Sequence, residues 1–543
     1  MRRYRSHLVL LVIVLGCGLI AMLFGQRVGL AAPIGTDVRD SVHEFADVYN
    51  VVEQNYAESV DPSKAIYDGA IPGMLRVLDP HSTFFDPKEY AALKEEESGK
   101  YYGVGMTIAA RANKIVVVSP FAGGPAYKAG VRPGDIIMSV DGTPTDNMTT
   151  SQVADMVRGQ AGTTVTVVVS HTSEPKPVTL KLVRAAIPRY SVDVHFQPKP
   201  GIGYMHVSMF NENTVQEVRS ALESFGKIDG LILDLRQDPG GLLDAAVGVA
   251  DDFLPKGDII VSQHGRSSPE HVYRAEHGST VGSYPIVILV NKGTASAAEI
   301  VTGALQDHDR ALVVGENTFG KGLVQTVFPL SENTGLALTT AKYYTPSGRL
   351  IQRSYNGVSL YDYFYGRSNE DTPNSAKEVK YTDSGRPVYG GDGITPDVKF
   401  TAPKPTRFQD LLLAHYAFFD FAQDYLRQHK VTKQLAVDDD LLNEFRSWLD
   451  KQNIQYTQAD FTENLEWLRS RIKSEIMTDT FGNEQGLQAQ AESDPEVLKA
   501  LTLLPQARQL AANAQRVIEA RKRNTINSAA SSAGQQQATS SPR

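Results

Sequence analysis

Ser296 and Lys321 are residues whose types and separation could do nucleophilic chemistry, and both lie within residues 283–325. A serine hydroxyl is a weak nucleophile until a base takes its proton. Lysine serves poorly at its ordinary pKa of about 10.4, because the ammonium form dominates at neutral pH. Burial among apolar strands disfavours that charged form, so a desolvated lysine can accept the serine proton near neutrality. Such a pair offers acyl transfer, with the serine carrying the acyl group and the lysine moving the proton.

The surrounding pattern predicts how the two residues are held. Residues 285–290 are an apolar, β-branched run bounded by Pro285 and Asn291-Lys292-Gly293, which reads as a buried strand. Ser296-Ala297-Ala298-Glu299 then opens a helix with Ile300, Val301, Ala304 and Leu305 on one face. Residues 311–315 are a second strand, and Gly320-Lys321-Gly322 starts a third apolar run, 323–330, which contains Gln325. Strand, helix, strand implies a βαβ crossover. Ser296 then sits at a helix amino end, where unpaired N–H groups and the helix dipole favour a developing anion.

Other readings compete. Ser296 with Glu299 is also an S-x-x-E capping box, which needs no chemistry. Residues 315–321 read G-x-x-x-x-G-K, but Gly322 stands where a phosphate-binding loop places Ser or Thr for magnesium, and no clear helix follows. A Ser-His-Asp triad can draw its partners from anywhere in the chain, and His206, His264 and His308 are the candidates inside the core. His308 follows the Ser296 helix and suits a helix carboxyl end, where a cation is favoured. The 12 histidines are scattered with no H-E-x-x-H, so no metal site and no cofactor is expected.

Gly293-Thr294-Ala295-Ser296-Ala297-Ala298-Glu299, followed by Gly315-Glu316-Asn317-Thr318-Phe319-Gly320-Lys321-Gly322, resembles the carboxy-terminal processing peptidases, also called tail-specific proteases. The resemblance covers most of residues 40–400 and closes on Asp392-Gly393-Ile394-Thr395-Pro396-Asp397. It implies that Ser296 and Lys321 form a catalytic dyad and that Gln325 orients the lysine by hydrogen bonding. After the buried run 231–235 comes the turn Arg236-Gln237-Asp238-Pro239-Gly240-Gly241, with Gln237 and Asp238 where family members commonly carry two asparagines. The resemblance pairs the N–H of Gly241 with that of Ala297 as the oxyanion hole. Removing one such donor typically costs ~2.7 to 4 kcal/mol of transition-state stabilisation. Asp79-Pro80-His81-Ser82 shares the resemblance, with His81 read as structural.

Residues 98–185 change to short strands and glycine turns, and with Ala129-Gly130-Val131-Arg132-Pro133-Gly134-Asp135-Ile136-Ile137 they resemble a PDZ domain. Gly103, Val104, Gly105 and Met106 would then meet a peptide's terminal carboxylate while the strand beside them accepts the peptide as an extra strand. Met106, Val153 and Val157 would form the apolar specificity pocket by the same resemblance.

The expected architecture is multidomain α/β: an N-terminal helical region at 37–97, a β-rich PDZ domain at 98–185, a crotonase-like ββα peptidase core at 186–402, a C-terminal helical region at 403–523 and a disordered tail at 524–543. Arg2, Arg3 and Arg5 precede an uncharged run, 8–25, so residues 1–36 read as a signal peptide or membrane anchor that sends the body into the cell envelope, periplasmic or outer face. Cys17, the one cysteine, lies in that run, so no intramolecular disulfide can form. The net charge of -8 argues against nucleic acid. The function expected is a serine endopeptidase acting on proteins or peptides with apolar C-terminal tails. The alternative is a non-catalytic PDZ adaptor on the same scaffold. A homo-oligomer and an activating adaptor are partners left open.

Overall fold

A computed structural model describes residues 36–111, 113–171, 176–279, 281–366 and 378–538. The apolar run 8–25 and Cys17 lie outside these residues, and among the described residues no helix is long and apolar enough to cross a membrane. The chain divides into two compact units, Met1–Met74 and Leu75–Arg543. In the first, the spacing of Val42, Phe45, Tyr49 and Val52 belongs to α1 (Thr36–Asn55). Helix reaches residue 97 in pieces, with Lys64–Ala70 and Ile71–Arg76 after α1 and then a turn. The Asp79 carboxylate accepts the N–H groups of His81 and Ser82, each at 2.8 Å, and this turn leads into a short strand, Thr83–Phe85. Asp86 then caps α2 (Pro87–Glu97).

Five antiparallel strands follow in the spatial order β1 (Met106–Arg111), β2 (Lys114–Pro120), β3 (Ile136–Val140), β4 (Thr164–Ser170), β5 (Val178–Val183). Strand β4 reads TVTVVVS, and its period of two puts Val165, Val167 and Val169 in the core beneath α3 (Thr150–Val157). Strand β1 lies at the edge of this sheet.

The central sheet runs β6 (Val192–Lys199), β7 (Ile202–Val207), β8 (Gly230–Asp234), then β11 (Ile286–Val290), β12 (Ala311–Gly315) and β15 (Val398–Lys399), parallel from β7 onward. Strands β8, β11 and β12 are buried at every position and apolar but for Asp234, as parallel strands covered on both faces must be. Leu231, Leu233, Ile286 and Ile288 face α4 (Thr214–Phe225), α5 (Leu243–Phe253) and α6 (Ala297–Asp307). A second sheet is built from Thr83–Phe85, β9 (Ile259–His264), β10 (His271–Arg274), β13 (Leu323–Pro329) and β14 (Gly335–Tyr344). The β11–α6–β12 crossover is the expected βαβ unit.

Beyond residue 403 the chain is helical. Helices α7 (Arg407–Ala414), α8 (Ala417–Gln428), α9 (Asp439–Lys451) and α10 (Leu465–Phe481) share a core around Phe418, Phe421, Phe445 and Trp467. After α11 (Asn483–Ala491), α12 (Pro495–Ala538) leaves this bundle and lays Val497, Ala500, Leu503 and Leu504 on the other face of the central sheet, against Ile232, Val287, Leu289 and Val314. It also runs through most of the expected tail, because Ala and Gln are strong helix formers despite giving no apolar face. The stretch 355–389 carries the helix Leu360–Phe364 and a hairpin of Val379–Tyr381 with Pro387–Tyr389.

Candidate active site

Ser296 occupies the turn between β11 and α6 with φ 52° and ψ −113°. A non-glycine side chain there is strained by roughly 1–3 kcal/mol, so surrounding bonds must hold it. Two clamps do so, and both also hold Lys321. The Glu299 Oε2 atom accepts the main-chain N–H of Ser296 at 2.9 Å and that of Lys321 at 2.9 Å. On the opposite side the Tyr343 hydroxyl, from β14, donates toward the carbonyl oxygens of both Ser296, at 3.1 Å, and Lys321. Glu299 is fully buried, and its Oε1 accepts the Thr318 hydroxyl and the Gly320 N–H. Burial pushes its carboxyl up to about 7 against these donors. The S-x-x-E pattern therefore does more than begin a helix.

Lys321 is largely buried, and burial lowers its pKa while Glu299 and Asp79 oppose the shift. Its Nζ donates to Gln325 Oε1 at 2.7 Å, and Gln325 Nε2 donates to the His81 carbonyl oxygen. Among the described residues, Gln325 is the hydrogen-bond partner of that amine. His81 is thus a neighbour of the lysine through its main chain, while its ring meets the Tyr363 hydroxyl at 2.9 Å and packs edge-on to Phe319, Tyr363 and Phe364. Burial, and next the Lys321 charge, push His81 down to about 4, so its ring is neutral at physiological pH. The Asp79-Pro80-His81-Ser82 motif was the sequence trace of this contact. Tyr343 left none, since a tyrosine in an apolar strand reads as core.

The Asp392–Asp397 motif supports the lysine loop from behind. Thr318 Oγ1 accepts the Ile394 N–H at 2.6 Å and the Thr318 N–H donates to the Ile394 carbonyl at 3.1 Å. Gly393, at φ 71°, must be glycine there because a Cβ would lie 2.6 Å from the Thr318 carbonyl oxygen.

The turn after β8 reaches the same place. A Cβ on Gly240 would lie 2.8 Å from the Ala297 nitrogen and 2.8 Å from Ser296 Cβ, so glycine lets the two turns touch. The Phe210 N–H bonds to the Gly240 carbonyl and the Leu242 N–H to the Phe210 carbonyl, which fixes Gly241 at φ 144° between them. Among the described residues neither the Gly241 N–H nor the Ala297 N–H has an acceptor. Both are donors available to an anion at the head of α6.

The three core histidines are occupied elsewhere. His206 bonds Asp193 at 2.7 Å and the Arg236 carbonyl, His308 bonds Asp383 at 2.7 Å and the Ile259 carbonyl, and His264 stacks on Tyr344. None is hydrogen-bonded to Ser296.

In the β-rich domain, Gly103 ends a strand, while Val104 and Gly105 turn their carbonyls inward to the N–H groups of Ala126 and Phe121, each at 2.9 Å. Met106 begins the edge strand β1. Val104, Val153 and Val157 are packed in the domain core, so the two α3 valines expected in an open pocket present little surface.

Comparison with known proteins agrees with this layout. Residues 201–359 match Peptidase family S41, residues 116–170 a PDZ domain, residues 408–460 the C-terminal helical domain of a probable PDZ-protease, and residues 30–89 the N-terminal domain of the activating protease CtpB. A carboxyl-terminal-processing protease of Synechocystis is 38% identical over 292 residues, 52% of this chain and 68% of that protein. The solved photosystem II D1 C-terminal processing protease is 34% identical, with a TM-score of 0.35 over 66% of this chain and 87% of that one. A carboxy-terminal-processing protease of Bartonella bacilliformis is 40% identical over 314 residues, which are 57% of this chain and 72% of that protein. With its S41 core, PDZ domain and helical C-terminal domain, the chain belongs to the carboxy-terminal processing peptidase family and is a serine-type peptidase.

Proposed function

We propose that this peptidase is an endopeptidase of the cell envelope that captures an unfolded protein's apolar C-terminal tail on its PDZ domain and cuts the chain with a Ser296–Lys321 dyad. The observation that carries this reading is the double clamp: Glu299 Oε2 ties the N–H groups of Ser296 and Lys321, and the Tyr343 hydroxyl reaches both carbonyls. One apparatus thereby orients a strained serine and a buried amine. Neutral Lys321 takes the Ser296 Oγ proton as Oγ bonds to the scissile carbonyl carbon. The Gly241 and Ala297 N–H groups receive the oxyanion, and the protonated lysine gives its proton to the departing amine. Water then attacks the acyl-serine with Lys321 as base again, which releases the acid and restores the hydroxyl. In the resting arrangement Lys321 Nζ donates to Gln325 at 2.7 Å and, among the described residues, makes no hydrogen bond to Ser296, so the two side chains must approach for the transfer. Among the described residues β1 pairs on one side only, which supports addition of a tail as a further strand at this edge.

The test is digestion of an unfolded reporter ending in an apolar tail, with cuts located by mass spectrometry, using the full chain and its Ser296→Ala and Lys321→Ala variants. Both variants should be silent while the parent cuts. Serine dependence without lysine dependence would overturn the dyad. The rising limb of kcat/KM should lie below the ordinary lysine range, as burial lowers the Lys321 pKa. Tail binding without cleavage by the parent would favour the adaptor reading.

A further inference from the structure

The mechanism above uses the Gly241 N–H but not the buried carboxyl that shapes its turn. Asp238 has no exposed surface. Its Oδ1 accepts the Gly240 N–H at 2.7 Å, and its main-chain carbonyl accepts the Ala295 N–H at 2.8 Å. It therefore joins the turn that carries Gly241 to the turn that carries Ser296 and Ala297. Its other oxygen, Oδ2, is buried with no hydrogen-bond partner among the described residues. A carboxylate has acceptor capacity on both oxygens and is costly to bury with one of them unmet. Protonation at Oδ2 removes the charge, and a buried neutral O–H without an acceptor costs less than a buried carboxylate oxygen left unmet; it also places no charge beside the oxyanion.

The charged groups around Asp238 do not reverse this. Asp193 on β6 opposes its ionisation, and His206 on β7 favours it. Asp193 and Asp234 hold His206 protonated up to about 9 despite burial, yet that imidazolium is already bonded to Asp193 and to the Arg236 carbonyl. Asp234 and Arg236, just before it in the chain, are paired with each other at 2.5 Å. Glu299, in the first turn of the helix after Ser296, is itself engaged by four donors. Burial dominates and pushes the Asp238 carboxyl well above the usual carboxylate range.

We propose that Asp238 is a positioning residue that acts in its protonated form: the neutral carboxyl holds Gly240 against Ser296 so that the Gly241 and Ala297 N–H groups converge, and loss of its proton disables the oxyanion site. This rests on the acyl-transfer reading of Ser296 given above. Ionisation would place an unmet negative charge beside a second, developing one. Activity should then fall on the alkaline side, where a lysine base alone would leave a plateau.

Asn keeps the shape and the acceptor of Asp and cannot ionise, so Asp238→Asn in the full chain is the test. Wild type should lose kcat with rising alkalinity by up to about 100-fold, the effect of losing an oxyanion donor, with KM little changed. Asp238→Asn should hold its kcat across that range. An independent readout is the infrared carbonyl band of a protonated carboxyl, present at neutral pH in wild type and missing in the variant. The proposal is overturned if the variant shows the wild-type alkaline limb, if it melts normally but is inactive at every pH, or if the infrared difference is absent. Retained cleavage by Ser296→Ala would instead sink the dyad reading, and the infrared band would still report on Asp238 alone.

Discussion

At the residue scale the site depends on groups that touch the main chain of Ser296 and Lys321 rather than their side chains. Gly241 is the plainest case: its φ is 144°, and a Cβ would sit 2.0 Å from the Phe210 carbonyl oxygen. Gly241→Ala must push the turn away from Ala297, and kcat should fall by about 10² to 10³ with KM nearly unchanged, as measured by steady-state kinetics on the tail reporter. A KM effect alone would argue that this N–H binds substrate without meeting the oxyanion. Glu299 makes a different prediction. Its carboxyl titrates ordinarily at 4.5 and in the fold at about 7, so the folded chain keeps a proton that the unfolded chain has lost between those values. The stability from this proton is fully present below pH 4.5 and is lost as pH rises through about 7, a decline of roughly 3 kcal/mol. Urea unfolding midpoints across that range should fall in wild type and flatten in Glu299→Gln. An unchanged slope would show that the four donors around the carboxylate, and not burial, decide its charge.

At the element scale one arginine makes a contact between the β-rich domain and the helical region. Arg111, at the end of β1, lies over the rings of Tyr416 and Phe419 at 4.3 and 4.7 Å and bonds Asp420 at 2.9 Å. A cation over two rings plus a half-exposed ion pair stabilises this docking by about 1–2 kcal/mol. Arg111→Ala should leave the melting of the central core unchanged and speed hydrogen exchange in β1 and α8 together. If exchange rises in neither element, other contacts carry the docking. Such elements differed in how far the sequence revealed them. Strands β8, β11 and β12 were legible as apolar runs because a parallel sheet buries both faces, and the gathering of Ser296, Lys321 and the glycine turn in one place was legible through the family resemblance. The Arg111 contact was not, since an arginine at a strand end carries no mark of the distant aromatics it meets. The role of the His81 carbonyl was hidden for a simpler reason: any residue has that atom.

At the scale of the whole molecule, α12 is where sequence reasoning and structure part most. Its apolar residues have the spacing of an ordinary bundle helix, so nothing in them distinguishes packing on neighbouring helices from packing on β8, β11 and β12, more than 180 positions earlier. Yet Leu504 reaches Gly230, at the start of β8, where a Cβ would lie 3.1 Å from its methyl group, and Arg236 at the end of β8 pairs with Asp494 at 3.0 Å and with Glu496. Helix α12 is therefore a layer of the peptidase core and not an appendage to it. Leu504→Ala should destabilise the core by about 2–5 kcal/mol, the range for emptying a buried leucine site. Because β8 leads directly into Asp238 and Gly241, loosening it should also blunt the oxyanion turn. The variant's kcat should drop at temperatures well below its unfolding midpoint, while tail binding to the PDZ domain stays intact. If kcat instead follows the folded fraction alone, α12 supports the fold without tuning the site.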